Sequence, residues 1–429
     1  MDEKLNTLYQ LGMSLYEARE YVPAALCFKE AAELFHPASQ YWYARCLEWG
    51  LGVSADAGEA FAWYERAAQL GDAQAMCRLG EACRNGEHGE PDMRASFGWY
   101  KQAAEQGHAS AMEYVGSCYF FGDGVEKDLA QAAKWYEKAA EEGDTRAQYN
   151  YALCLKYGNG IEKDEKAAFA WVEKAAEQAH PDALNELGLM YYHGVGTDQD
   201  TVEAADYFRL AAMSGHAAGQ NNYGQSLYYG WGIEQDMTEA ADWLEKSAEQ
   251  GYADAQVNLG MCYCRGDGRE MDGARALFWI EKAVDQGSPA GINALAMLYF
   301  NGVGIQRDYE KAVALSQLAA RKGNADAMHR LGICYAEGLG AETDQAEAYR
   351  WFKAAADKGH ADSMANVGEM LLNGKGVDKD EAAGAAWLKK AAQSGDRGGM
   401  KRLADSLEQG VGIERDVEAA AVWRAKSEE

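Results

Sequence analysis

The chain has 429 residues, with 41 Lys plus Arg against 68 Asp plus Glu and a formal charge of −27. That charge repels the phosphates of nucleic acids and of anionic membrane surfaces, so DNA, RNA and membranes are excluded as partners. With 48% hydrophobic residues, 47 Gly and only 5 Pro, the composition describes a helix-rich chain punctuated by turns rather than a disordered one.

The first residues, MDEKLNTLYQLG, are acidic where a signal peptide is basic, and no apolar run approaches the ~20 residues that span a bilayer, so a cytoplasmic location is expected. Residues 1–36 read as one helical hairpin, with Gly12, Ala24, Phe28 and Ala31 at its core positions and a loop four residues shorter than the loops that follow. From Pro37 onward the sequence aligns with itself at a period of 36 without insertion or deletion. Eleven units begin at Pro37, Ala73, Ala109, Thr145, Pro181, Ala217, Ala253, Pro289, Ala325, Ala361 and Arg397, the last ending at Glu429.

Each unit is predicted to be a pair of helices. In the first, the buried stripe is of the type Ala75, Leu79, Cys83 or Ala183, Leu187, Tyr191, followed by a Gly (Gly80, Gly116, Gly188, Gly260) that lets the two helices approach. In the second, small and aromatic residues recur at i, i+3, i+4 and i+7, as in Ala132, Trp135, Tyr136, Ala139. A Gly at the thirteenth residue plus one, from Gly50 to Gly410, suits a left-handed C-cap, and an Asp six residues later, from Asp56 to Asp416, suits an N-cap. Irregularities are local: Tyr207 and Leu315 replace the second-helix Trp, Ala179 replaces a terminal Gly, and the turn Gly86-Glu87-His88-Gly89-Glu90-Pro91 departs from Gly-x-Gly.

The unit Ala109 to Gly143, ASAMEYVGSCYFFGDGVEKDLAQAAKWYEKAAEEG, resembles the Sel1-like repeat, a relative of the tetratricopeptide repeat, and residues 37–429 carry the same pattern throughout. The resemblance implies an all-α, right-handed superhelical solenoid of stacked hairpins that acts as an adaptor for other proteins. Residues 1–36 resemble a plain tetratricopeptide hairpin that caps one end of the stack. Twelve hairpins then give about 24 helices in an arc on the order of 100 Å long.

The side chains with chemical potential fall into this pattern. Gly-x-Gly follows a helix and not a strand, which makes it a turn and not a phosphate loop. Five of the eight His (His36, His108, His180, His216, His360) share one inter-repeat position and lie too far apart to share a metal ion. Of nine Cys, Cys46, Cys118, Cys154, Cys262 and Cys334 share a helical position and read as buried thiols in a reducing compartment. No nucleophile and base combination stands out, so neither catalysis, cofactor nor metal is expected.

The signal lies on the first-helix face opposite the core stripe, unit positions 2, 5, 6, 9, 12 and 13, where aromatic and Asn residues gather instead of ordinary solvated ones. The residues expected to form a partner-binding groove are Tyr41, Trp49, Phe121, Asn150, Tyr157, His193, Asn222, Tyr229 and Asn258. A ladder of Asn amides suits the backbone of an extended peptide. Toward the C-terminal end the face turns charged, with Arg330, Lys401, Arg402, Glu369, Asp405 and Glu408. The expected partner is a protein or peptide, basic or at least not acidic, with apolar anchors. Two other functions compete: a dedicated regulatory or immunity-type partner of one protein, and a hydrolase of cell-wall or β-lactam compounds, proposed for some cysteine-rich relatives that carry a secretion signal and paired Cys in each repeat.

Overall fold

The structure, a computed structural model, describes residues 2–87, 89–303 and 305–428. His88 of the altered turn, Gly304 of one Gly-x-Gly turn and the terminal Glu429 lie outside them. Among the described residues there are 24 helices and no strand. In chain order they are α1 (Asp2–Glu17), α2 (Tyr21–Glu33), α3 (Pro37–Trp49), α4 (Ala57–Gln69), α5 (Ala73–Asn85), α6 (Met93–Glu105), α7 (Ala109–Phe121), α8 (Leu129–Glu141), α9 (Thr145–Tyr157), α10 (Glu165–Glu177), α11 (Pro181–His193) and α12 (Thr201–Met213). There follow α13 (Ala217–Tyr229), α14 (Met237–Glu249), α15 (Ala253–Arg265), α16 (Gly273–Asp285), α17 (Pro289–Asn301), α18 (Tyr309–Arg321), α19 (Ala325–Glu337), α20 (Gln345–Asp357), α21 (Ala361–Asn373), α22 (Glu381–Gln393), α23 (Arg397–Gln409) and α24 (Val417–Lys426). Contacts divide the chain into two compact units, Met1–Tyr207 and Phe208–Glu429.

The caps explain why the helices are so uniform. Each of the eleven first helices from α3 on ends at a Gly with φ between +65° and +86°. The Asp residues open the second helices by accepting backbone N–H bonds, as where Asp128 accepts from Ala130 N (2.9 Å) and Gln131 N (3.0 Å). Asp128→Ala is expected to cost about 1 kcal/mol in urea denaturation, because two orphan donors at the start of α8 lose their acceptor. Ala179, in place of Gly, takes φ +58°, so that turn keeps its shape at some backbone cost.

Inside each unit the second helix of one hairpin packs on the first helix of the next, and several first helices also touch one another, such as α7 with α9 and α15 with α17. The core is built from the predicted stripes. Leu79, Leu187, Leu259 and Leu331 are buried in the first helices, and Tyr136, Phe352 and Leu388 in the second. Each of the latter lies against the first-helix Gly: a Cβ on Gly116 would come within 2.7 Å of the Tyr136 ring. A Trp beside it sits at the edge of the core, and in several hairpins a cation three residues on covers its ring, with Lys174 Nζ 3.8 Å from the Trp171 centroid and Lys246 Nζ 3.7 Å from that of Trp243.

Buried Gln residues tie hairpins together. Gln256 Nε2 donates to Ala248 O (3.2 Å) at the end of the preceding helix, and Gln286 Nε2 donates to Gln256 Oε1 (2.8 Å). The same relay recurs at Gln148 and Gln178. All nine Cys are free, and burial pushes the five that share a position up to about 11, which leaves them as neutral packing groups.

Candidate interaction face

The N-termini of the first helices define one rim of the candidate face. The five His residues at the inter-repeat position are N-caps: Nδ1 of His36, His108, His180, His216 and His360 accepts the backbone N–H of the third helical residue at 3.1–3.4 Å. This role was not read from the sequence, although Asp72, Asp144, Ser288, Asn324 and Asp396 fill the same position in other hairpins and are ordinary caps. Because Nδ1 accepts, the neutral ring carries its proton on Nε2.

Among the described residues, one group brings metal-ligating atoms within 4.8 Å of one another: His329, His360 and Asp362. The spacing rule for inter-repeat His did not consider His329, which comes from within α19. Its ring stacks on His360 at 4.3 Å with planes 15° apart, so the in-plane lone pairs run nearly parallel and do not converge. His360 also keeps its cap bond, and His329 Nδ1 lies 2.7 Å from Ser363 Oγ. The arrangement is that of a ring stack and a cap rather than a coordination sphere.

The other rim is aromatic. At the last residue of their helices, Trp49, Phe121 and Tyr157 are 66%, 67% and 60% exposed, and His193 is exposed beside Tyr192, all in the first unit. In the second unit Tyr229 is 55% exposed, stacked on Trp231 at 4.5 Å and edge-on to Tyr228 at 4.8 Å. These side chains lie beside fully packed neighbours, such as Leu155 at 5% exposure, so their exposure belongs to their position and not to loose packing.

The Asn residues sit deeper than the aromatic row. Asn150 is half-buried and gives an N–H to Glu113 Oε1 (2.9 Å) on the preceding first helix, and Asn258 does the same to Asn221 Oδ1 (2.9 Å), which in turn is bonded to Asn222. Arg330 repeats the register, donating from Nη1 to Asn293 Oδ1 (3.1 Å). Each link joins position 6 of one hairpin to position 5 of the previous one. The row thus stitches first helices together, and at Asn150 and Asn258 the bond takes up one of the amide's two N–H groups.

Concavities open on this face in each unit. In the first unit a cleft of about 310 Å³ is lined by α3, α5, α7 and α9, with Tyr41 on one side and Glu81, Glu113, Tyr114 and Arg146 across it. Its charges are mostly paired: Arg78 with Glu48 and Glu87, and Arg146 with Glu113 (2.8 Å), whose side chain is 4% exposed. Burial raises the Tyr41 hydroxyl above its ordinary range and pushes the Cys77 thiol up to about 12, so both stay neutral. In the second unit a pocket of about 120 Å³ brings the sequence-identified Tyr229 and Asn258 together with Gln225, Met261 and Leu244. Met261 was missed. It occupies position 9, as do the half-buried Leu153, Leu189, Met297 and Ile333, and a chain of apolar residues there was legible beside the aromatic row.

Capped helical hairpins repeated every 36 residues define a helical-hairpin repeat protein, a class of solenoid that generally serves as a scaffold for protein interactions. Eleven consecutive matches to the Sel1 repeat run from residues 37–72 to residues 399–426, and the chain belongs to the Sel1 repeat family. Members of the family bind other proteins and are typically not catalytic. The chain is similar to c5321, a protective antigen present in uropathogenic Escherichia coli strains that displays an SLR fold, at 34% identity and TM-score 0.73 over 93% of this chain and 85% of that one. It is also similar to a Sel1 repeat protein from Oxalobacter formigenes, at 29% identity and TM-score 0.52 over 71% of this chain and 88% of that one. No curated protein matches the chain. No described helix is long and apolar enough to cross a membrane.

Proposed function

We propose that the chain is an adaptor or scaffold that binds an extended peptide or a partner domain on the inner face of its first helices. The observation that carries this reading is the run of exposed aromatic rings at one repeat position, Trp49, Phe121 and Tyr157 in the first unit and Tyr229 in the second. Large aromatic side chains left in water at the same place in several hairpins favour association, since each buries area at little entropic cost on contact. The 120 Å³ pocket beside Tyr229 is the size of one aliphatic side chain, which supports a partner with apolar anchors. The charge of −27 supports a basic or non-acidic one. A cytoplasmic setting accords with nine unpaired thiols.

The test is to replace Trp49, Phe121 and Tyr157 with Ala together. All three are more than half exposed, so stability should move by no more than about 1 kcal/mol, while capture of partners from a native host extract, read by mass spectrometry, should be lost. Capture of the same partners in the same amounts would remove the reading.

A further inference from the structure

The first unit contains a repeated device in which a second-helix Tyr orients a first-helix carboxylate toward a guanidinium. Tyr64 OH donates to Glu48 Oε2 (2.6 Å), and Glu48 Oε1 accepts Arg78 Nε (3.0 Å) from the next hairpin. Two hairpins along, Tyr136 OH lies 3.0 Å from Ser117 Oγ, which donates to Glu113 Oε1 (3.0 Å), and Glu113 Oε2 accepts Arg146 Nη2 (2.8 Å).

In the hairpin between them the corresponding Tyr is Tyr100. It is 1% exposed, its hydroxyl is buried and has no hydrogen-bond partner. The ring has no freedom to turn away. It stacks on Tyr114 at 4.5 Å with planes 18° apart, and it rests so close to Gly80 that a Cβ there would come within 2.8 Å. The residue at the position of Ser117 is Glu81, which lines the 310 Å³ cleft and forms no hydrogen bond or ion pair with any described residue. At the position of Glu48 stands Arg84, which can only donate. Of the other charged groups lining the cleft, Arg146 is paired with Glu113, Arg78 with Glu48 and Glu87 outside it, and Asp144 caps α9 and accepts Ser110 Oγ, so Glu81 is the lining carboxylate that no described residue bonds.

We infer that Glu81, oriented by Tyr100, is the seat for an arginine side chain supplied by the bound partner. The Tyr100 hydroxyl donates to one carboxylate oxygen and the partner's guanidinium takes the other, which completes in trans the arrangement that Arg78 and Arg146 complete within the chain. Arginine fits better than lysine. Its planar fork gives two N–H groups to one carboxylate, as Arg78 does to Glu48 from Nε and Nη2, which an ammonium cannot match in geometry. The cleft has room for the side chain and adjoining backbone. This rests on the adaptor reading and names one anchor of the partner.

The experiment uses the full chain and the blocked peptide acetyl-Ala-Ala-Arg-Ala-Ala-amide, with the citrulline peptide as its neutral isostere, titrated by NMR at low salt. The arginine peptide should bind with shifts at the Tyr100 and Tyr114 rings, and the citrulline peptide about tenfold more weakly. Glu81→Gln should weaken the arginine peptide to the citrulline level, Tyr100→Phe by about threefold, and Glu105→Gln, an exposed control, not at all. No binding of the arginine peptide, equal binding of the two peptides, or indifference to Glu81→Gln would overturn the assignment. If Glu81→Gln has no effect while the Trp49, Phe121 and Tyr157 variant still loses its partners, the anchor is wrong and the adaptor reading stands. If that variant also keeps its partners, both fall.

Discussion

Gly160→Ala is expected to lower stability by about 2–5 kcal/mol, whereas Gly158→Ala, two residues earlier in the same turn, should cost only about 1–2 kcal/mol. Both glycines have left-handed backbone, with φ of +72° at Gly158 and +76° at Gly160, so both substitutions carry the strain of placing a Cβ in that region. They differ in what the Cβ meets. At Gly158 the nearest atoms are 3.6 Å away, which is ordinary contact. At Gly160 a Cβ would lie 2.0 Å from Leu129 O and 2.1 Å from Leu129 C, backbone atoms at the start of α8 in the preceding hairpin. Backbone cannot rotate aside as a side chain can, so the two hairpins must separate. The second Gly of Gly-x-Gly is therefore the point where one hairpin docks on its predecessor. In a repeat array, weakening one such interface reduces the coupling between neighbours. Urea unfolding of Gly160→Ala should accordingly show a lower midpoint and a broader transition than Gly158→Ala. Equal losses for the two variants would mean that the turn, and not the docking, is what Gly160 serves.

The contrast shows which parts of the fold were legible in the sequence. C-cap glycines and N-cap aspartates were readable because one residue type answers one backbone requirement, and the repeat shows the choice eleven times. The two helical stripes were readable for the same reason. The docking role of the second Gly was not, since a positive φ accounts for it fully until the neighbouring backbone is placed. The His caps were hidden by chemistry: imidazole is an uncommon cap, and only its substitution by Asp72, Asp144, Ser288, Asn324 and Asp396 at the same position betrays it.

The candidate face divides in the same way. Trp49, Phe121, Tyr157 and Tyr229 follow from helical geometry alone, because a last-turn residue about 120° from the core stripe points away from the packed interface. The Asn row needed the inter-helix register. A separation of 37 residues joins Asn150 to Glu113, Asn258 to Asn221 and Arg330 to Asn293, one more than the repeat, and this offset emerges only when adjacent first helices are set side by side. Glu81 and Tyr100 are ordinary in the sequence. Their interest arises from comparison with Glu48 and Glu113, carboxylates at other positions of the same helix face that already hold an arginine.

Acid is expected to destabilise the chain through His329, and His329→Gln should remove that part of the loss. The imidazole is half-buried on α19 against the Phe352 ring (5.5 Å) and stacked on His360, with Ser363 Oγ at Nδ1. Burial, then the His360 and Arg330 charges, push its pKa down to about 4, while Asp326 and Asp396 oppose the shift only in part. In the unfolded chain the same ring titrates near its ordinary value of about 6.5. The unfolded state therefore takes up the proton first. Stability from the neutral ring is present in full above about pH 6.5 and is lost progressively as the pH falls toward 4, by on the order of 3 kcal/mol. Gln keeps a polar group near Ser363 but does not titrate. The difference in unfolding free energy between the two proteins, measured in urea at steps from pH 7.5 to 4, cancels the carboxylates common to both. It should be flat above pH 6.5 and then move by about 3 kcal/mol in favour of His329→Gln. A difference that stays level through that window would show that His329 accepts its proton in the folded protein, and that the α19 to α21 contact opens to water far more readily than its packing indicates.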